Sequence, residues 1–195
     1  MAGRKFLLIR EIGAGLWNEI HHILTRLLAA EIVQRIPVVF WGKGSLYATF
    51  DGSDAFERFF MPVSGFSVFD LTKDGLTFYP EQWNGENILT DSGHMDNATK
   101  ITMKDLKKCE AYVCVCDKYI ELEEIIPFVP KGHWLFGLNK RDVFYRLLHK
   151  YIHLRNDVKA YIDDFYNGNM KGTPLLAVHI RSSDKIVEVK HLHEL

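Results

Sequence analysis

A strand, a glycine turn, a long helix and a second strand follow one another within the first 41 residues, and this order constrains the fold more than any other feature. Residues 6–10 form a short apolar strand, and Gly13 with Gly15 permits a tight turn. Residues 16–35 then repeat apolar side chains at the three- and four-residue spacing of one helix face. A proline ends this pattern before the strand at 38–41. Such a unit predicts parallel strands joined by a right-handed crossover.

Strand and helix patterns keep alternating along the rest of the chain. Residues 112–116 predict another buried strand, and residues 54–60 and 140–166 have helical patterns. The last apolar run, residues 175–180, is typical of a further strand. This alternation predicts an α/β fold, in which a Rossmann-like parallel sheet is flanked by helices.

The stretch Gly172-Thr173-Pro174 predicts a domain boundary. Residues 1–172 would form one α/β domain, and residues 173–195 would contribute the first strand and loop of a second domain. In the alternative, the last predicted strand pairs with the sheet of the first domain, because a lone strand leaves its edges unpaired and its faces uncovered.

Composition and charge exclude several classes of partner. The formal net charge is −1, so no overall positive field would attract nucleic acid. The N-terminal apolar run is too short for a signal peptide or a membrane span. We therefore expect a cytoplasmic protein. The cysteines are predicted to be buried, reduced thiols and not metal ligands: Cys109, Cys114 and Cys116.

The glycine turn is a candidate contact for an anion or a sugar. Backbone N–H groups at a helix start are unpaired and the helix dipole is positive there, so Gly13 and Gly15 let a polar ligand approach. The turn is not a dinucleotide-binding fingerprint, because Asn18 stands where the third glycine would fall. In the alternative interpretation, the glycines only make the turn and Asn18 forms a local hydrogen bond.

Polar residues end the last predicted strand. His179 and Arg181 would lie on the same face of an extended strand and reach one ligand together. The forked guanidinium group of Arg181 suits a diphosphate, and Asp184 is placed to orient it. Lys185 and Glu188 are a candidate proton-handling pair. In the alternative interpretation, these are solvated charges at a strand end.

Together the two segments resemble the GDP-fucose-dependent fucosyltransferases of the core alpha-1,6 type and their rhizobial nodulation relatives. Residues 13–22 match that family's glycine-rich turn into a helix with an Asn and paired His, and residues 179–185 match its His-x-Arg-Arg-x-Asp-Lys motif. The resemblance implies a two-domain GT-B-type fold, of which this chain is the N-terminal half. It also implies inverting transfer of fucose from GDP-fucose to a glycan or protein hydroxyl, without a metal or cofactor.

The resemblance also assigns roles by position. It implies catalytic roles for Arg181, Lys185 and Glu188. It implies contacts with the nucleotide sugar or the acceptor for Gly13, Gly15, Asn18, His21, His22, His179, Arg181 and Asp184. Ser182 stands where the family has a second arginine, so Arg181 would carry the main charge.

The extent of the resemblance leaves other functions open. We expect these 195 residues alone to transfer little or no fucose. The second motif, residues 179–185, is not followed here by the remaining strands of the nucleotide-binding domain. One alternative is a non-catalytic α/β domain that binds a sugar or a partner. Another is a GT-B transferase that uses a different nucleotide sugar.

Overall fold

The structure, a computed structural model, describes residues 3–90 and 99–178. The strands in these ranges are β1 (Phe6–Arg10), β2 (Ile36–Phe40), β3 (Phe78–Tyr79) and β4 (Val113–Cys116). The α-helices are α1 (Leu16–Val33), α2 (Asn87–Thr90), α3 (Met103–Lys108), α4 (Lys140–Tyr151) and α5 (Asn156–Asn169). The strands form one parallel sheet in the order β2-β1-β4-β3. The predicted α/β fold, with a parallel sheet flanked by helices, is confirmed.

β1 lies inside the sheet, between β2 and β4, and is buried at every residue. Leu7 and Ile9 belong to the apolar cluster that includes the inner face of α1. Phe6 and Leu8 belong to the cluster on the other face, together with Trp83. This division follows from the two-residue alternation of side chains along a strand. Burial of each such side chain contributes about 1.5–3 kcal/mol, so the strand that precedes the glycine turn is firmly held.

Glu31, the acidic residue on the apolar face of α1, connects that helix to the chain around α4. Its carboxylate accepts hydrogen bonds from Trp134 Nε1 at 2.7 Å and Tyr151 OH at 2.6 Å. Lys150 Nζ donates to it at 3.0 Å, and His133 Nε2 lies 2.9 Å away. Burial alone would raise the pKa of Glu31, but these hydrogen bonds lower it below its usual value. The carboxylate therefore stays ionised among its partners.

The helix predicted over 140–166 is wrong in one respect, because two separate helices, α4 and α5, occupy this range. Between them, Leu154 forms an antiparallel bridge with Phe60. The backbone N–H of Met61 donates to His153 O at 2.8 Å. The backbone between the helices is therefore used in pairing with a distant segment, and this tertiary contact overrides the helical pattern.

The helix predicted over residues 54–60 is also wrong, because turns occupy most of this range. Asp54 Oδ1 accepts hydrogen bonds from the backbone N–H of Phe56 at 2.9 Å and of Trp41 at 3.0 Å. A short polar side chain that binds nearby backbone in this way favours a turn over a helix. The same side chain ties the segment to the residue that follows β2.

The chain divides after Arg155 into two compact units. The second unit contains α5, which is largely exposed, and the described part of the strand predicted over 175–180. Residues 174–178 are exposed and form no strand, so the prediction is wrong for this part. An isolated strand gains nothing in water until another strand pairs with it. The domain boundary predicted between residues 172 and 173 stays a prediction.

Candidate functional site

The carboxyl end of β1 carries a buried ion pair. Arg10 Nη2 lies 2.9 Å from Glu11 Oε1, and both side chains are fully buried. Glu11 also accepts hydrogen bonds from the backbone N–H groups of Gly42 and Gly44, each at 3.1 Å. Arg10 Nη1 donates to Ile88 O at 3.0 Å. The pair therefore connects the end of β1 to the loop after β2 and to α2.

The glycine loop, defined here as residues 12–15, is held from the helix side by Glu19. The Glu19 carboxylate accepts hydrogen bonds from the backbone N–H of Ile12 at 3.1 Å and of Ala14 at 3.0 Å. Between them, Gly13 has a φ of +69°, in the left-handed region that side chains disfavour. Burial raises the pKa of Glu19, although these hydrogen bonds oppose the rise. The loop is thus fixed from inside the protein.

The other side of the loop is open as far as residues 3–90 and 99–178 are concerned. Gly15 is the N-cap of α1 with a φ of −64°, and no side chain from these ranges caps the helix. A Cβ atom added at Gly15 would meet none of their atoms within 4 Å. Asn18 is exposed, and its side chain makes no hydrogen bond to the part of the chain that is described, while Trp17 is 67% exposed. A helix N-terminus with uncapped N–H groups beside open space is suited to an anion or a polar hydroxyl.

The paired histidines of α1 have different surroundings. His22 is fully buried, with Nε2 3.4 Å from Cys116 O, and burial lowers its pKa to about 3. His21 is half-buried, and its Nδ1 lies 2.9 Å from the hydroxyl of Tyr119. That hydroxyl donates to Glu121 at 3.1 Å. His22 is therefore a neutral core residue at physiological pH, and His21 is the histidine of the pair with access to solvent.

A further acidic side chain lies at the carboxyl end of β4. Asp117 directly follows this strand and is 2% exposed. Within the described ranges, its Oδ2 atom has no hydrogen-bond partner. Burial raises the pKa of Asp117 above its usual value, with nearby Arg10 and Arg26 opposing the rise. Asp117 therefore holds its proton more tightly than an ordinary aspartate does, and a protonated carboxyl group can donate a hydrogen bond.

The polar groups at this edge share one signal in the sequence. Glu11 and Asp117 each follow a buried strand immediately, and parallel strands end at the same edge of a sheet. Ligands of open α/β sheets bind beyond these carboxyl ends. The rule also covers β1 and β4, so Glu11 and Asp117 were visible in the sequence as candidate site residues, although only the last predicted strand was assigned a site. Glu19 was also missed, because only the folded loop shows which backbone groups its carboxylate binds.

Solved structures include proteins with a similar fold. Fucosyltransferase NodZ from Bradyrhizobium aligns with 98% of this chain and 64% of its own length, at 21% identity and a TM-score of 0.56. The chain has a fold similar to the aligned part of NodZ. NodZ alpha-1,6-fucosyltransferase soaked with GDP-fucose aligns at 20% identity and a TM-score of 0.54. The form co-crystallized with GDP aligns at 20% identity and a TM-score of 0.55.

The similarity to NodZ is a similarity of fold, and it covers only part of the NodZ chain. This chain spans 64–65% of the NodZ chains and is covered to 98% by these alignments. The predicted likeness to the N-terminal part of a fucosyltransferase fold is consistent with this coverage. No protein-family model and no curated protein matches the chain in sequence.

The residues that carried the family resemblance fall into two groups. The first group lies before and within the first two turns of α1: Gly13, Gly15, Asn18, His21 and His22, of which His22 is buried. The second group lies outside the described residues, so its predicted roles stay predictions: His179, Arg181, Asp184, Lys185 and Glu188.

Residues 3–90 and 99–178 contain no group of three or more His, Cys, Asp or Glu side chains arranged to hold a metal ion. The expected absence of a metal stays a prediction. None of the helices described here combines the length and apolar character needed to cross a membrane.

Proposed function

We propose that this chain is the acceptor-side part of a glycosyltransferase that transfers fucose from GDP-fucose to a glycan or protein hydroxyl, with inversion. The observation that supports this proposal is the open N-terminus of α1 beside Gly15, in a chain with the NodZ fold. NodZ itself has been soaked with GDP-fucose and co-crystallized with GDP.

The glycine loop would act through its backbone. The uncapped N–H groups at the start of α1 would donate to an oxygen of the bound nucleotide sugar, and the exposed amide of Asn18 would bind a neighbouring hydroxyl. Gly15 leaves the space through which these oxygens approach. His21 would be oriented for this ligand by the Tyr119 hydroxyl.

The second motif would complete the chemistry. In this proposal the guanidinium group of Arg181 binds the diphosphate and stabilises the charge that develops on GDP as the glycosidic bond breaks. A base takes the proton of the acceptor hydroxyl while its oxygen attacks the anomeric carbon from the opposite side. Lys185 and Glu188 are the candidates for handling that proton.

A transfer assay tests the proposal. The complete native polypeptide is incubated with GDP-fucose and a panel of glycan and protein acceptors, and mass spectrometry detects the addition of a deoxyhexose. A parallel series replaces GDP-fucose with other nucleotide sugars. Transfer from another donor only would identify a different GT-B transferase. Absence of transfer from every donor, together with sugar binding, would establish the non-catalytic alternative.

Gly15→Ala tests whether the nucleotide sugar binds beside the N-terminus of α1. We expect this variant to lose about tenfold in kcat/KM, because a methyl group would displace one ligand hydrogen bond without touching the protein. Gly132→Ala is the matched control, since a Cβ atom there also meets nothing within 4 Å. Arg181→Ala tests the second motif. Wild-type rates in both Gly15→Ala and Arg181→Ala would overturn the assigned roles.

A further inference from the structure

A groove of about 730 Å³ lies beside the chain that follows β2. Two aromatic rings, three carboxyl groups and two guanidinium groups contribute to its lining: Phe50, Phe69, Asp51, Asp54, Glu57, Arg58 and Arg155. The ring of Phe50 is fully exposed, and Phe69 is 67% exposed. Exposed large rings that line one groove with polar side chains are typical of a binding surface.

The turn on one side of the groove is held by its own side chains. Thr49 Oγ1 donates to Ser53 O at 3.1 Å, and the backbone N–H of Ser53 donates to Asp51 Oδ1 at 3.0 Å. Gly52 supplies the positive φ of +73° that the turn requires. Hydrogen bonds from Thr49 and Ser53 hold the pKa of Asp51 at about 2. The groove therefore presents the ionised carboxylate of Asp51 in a fixed position. The side chain of Asp51 loses little conformational entropy when a ligand binds.

Asp54 is held in place by backbone hydrogen bonds. Oδ1 accepts those from Trp41 and Phe56, and the backbone of Glu57 also hydrogen-bonds to the carboxyl group. Burial raises the pKa of Asp54 to about 7. The oriented carboxyl group also lines the groove, and near neutral pH it can accept a hydrogen bond from a ligand or donate one.

The charges around the groove argue against a strongly ionic ligand. The carboxyl groups of Asp51, Asp54 and Glu57 stand against the guanidinium groups of Arg58 and Arg155, so the lining carries at most one net negative charge. A pyranose ring is uncharged, with apolar C–H faces that stack on aromatic rings and hydroxyls that bind carboxylates and guanidinium groups. A neutral oligosaccharide is therefore the ligand class that matches both the rings and the polar groups.

We propose that this groove binds a neutral oligosaccharide that serves as the acceptor, with a sugar ring against Phe69 and hydroxyls bonded to Asp54 and Asp51. This inference rests on the proposed glycosyltransferase function. The glycine loop is the donor contact in that function, so the groove would be a second, side-chain-built subsite of the same protein.

Direct binding tests the groove without a transfer reaction. The full chain is titrated with neutral tetrasaccharides of glucose, galactose, mannose and N-acetylglucosamine, and calorimetry gives the dissociation constants. For the tetrasaccharide that binds, we expect Phe69→Ala to weaken binding about 2- to 12-fold, the range for losing one aromatic contact. Phe136→Ala is the matched control, because this exposed ring does not line the groove, and it should bind as the wild type does.

Asp54→Asn provides a second variant. Its Oδ1 atom retains the two backbone hydrogen bonds, so the turn is preserved and only the ligand-facing oxygen changes to an N–H group. We expect weaker binding at pH 8, where the wild-type carboxylate only accepts hydrogen bonds from hydroxyls. Equal affinities in the wild type, Phe69→Ala and Asp54→Asn would overturn the inference, as would failure of every tetrasaccharide to bind. If GDP-fucose transfer persists in either case, the proposed function survives and the groove assignment alone falls.

Discussion

The glycine loop and the groove are built in opposite ways. At the loop, the carboxylates of Glu11 and Glu19 are buried and bind backbone N–H groups of the protein, so the surface left for a ligand is backbone at Gly15. At the groove, the ligand-facing surface consists of side chains, with the rings of Phe50 and Phe69 exposed to solvent. The side chains that hold the glycine loop are therefore part of the protein core. The exposed rings that line the groove can be substituted without unfolding the protein.

The largest effect should follow from breaking the buried ion pair behind the loop. Glu11→Ala leaves the Arg10 charge buried without this carboxylate and removes the acceptor for Gly42 and Gly44. We expect a loss of about 3–5 kcal/mol in the free energy of unfolding. Urea denaturation followed by circular dichroism measures it. Glu110→Ala, which breaks the exposed ion pair with Lys5, is the control and should leave the midpoint unchanged.

Glu19→Ala should have the next largest effect. The backbone N–H groups of Ile12 and Ala14 would lose their acceptor, at a cost of about 1–3 kcal/mol in the free energy of unfolding. Without this acceptor, the backbone N–H groups of Ile12 and Ala14 should become accessible to solvent, so their hydrogen exchange should accelerate. Unchanged exchange at both amides would show that Glu19 does not hold the loop.

The two glycines of the loop should separate stability from binding. Gly13→Ala places a Cβ atom at a φ of +69°, and we expect a loss of about 1–2 kcal/mol in the free energy of unfolding. Gly15→Ala has a φ of −64° and open space, so its thermal midpoint should match the wild type. A midpoint for Gly15→Ala as low as that of Gly13→Ala would contradict the open side of the loop.

Local features of this fold could be predicted from the sequence, whereas features that depend on contacts between distant segments could not. The strand–turn–helix–strand unit was predictable because its hydrophobic periodicity is local, and it placed Gly13 and Gly15 correctly at a helix start. The break between α4 and α5 was not, because the pairing of Leu154 with Phe60 joins segments far apart in the chain. Asp54 was assigned to a helix for the same reason: its acceptor role toward Trp41 exists only once β2 has folded beside it.

For Asp117, the sequence predicts the position of the residue but not its surroundings. Its position after a buried strand was visible in the sequence, but its burial and its lack of a partner for Oδ2 within the described ranges depend on how the surrounding loops close. The same holds for the paired histidines. Adjacent positions on a helix point about 100° apart, so one of the two had to be more buried, and only the packing of α1 decides that it is His22.

The smallest predicted effect lies at the groove and concerns pH. Burial raises the pKa of Asp54 from its usual 3.8 to about 7, so the folded state binds this proton more tightly than the unfolded state does. The stabilisation is complete below pH ~4 and is lost as the pH rises through about 7. Asp54→Asn imitates the protonated carboxyl and keeps the hydrogen bonds to Trp41 and Phe56. Between about pH 5 and 8, the wild type should lose on the order of 1 kcal/mol more stability than this variant.

Asp51→Asn is the control that isolates the Asp54 carboxyl from the other groups of the groove. The pKa of Asp51 is about 2, so its titration ends well below pH 5 and the pH dependence of this variant should run parallel to that of the wild type. Urea midpoints measured across this pH range decide the outcome. Parallel curves for wild type and Asp54→Asn would mean that the Asp54 carboxyl is as solvated as an ordinary surface group. Asp54 would then not resemble the buried carboxylates behind the glycine loop, which backbone N–H groups hold away from water before any ligand arrives.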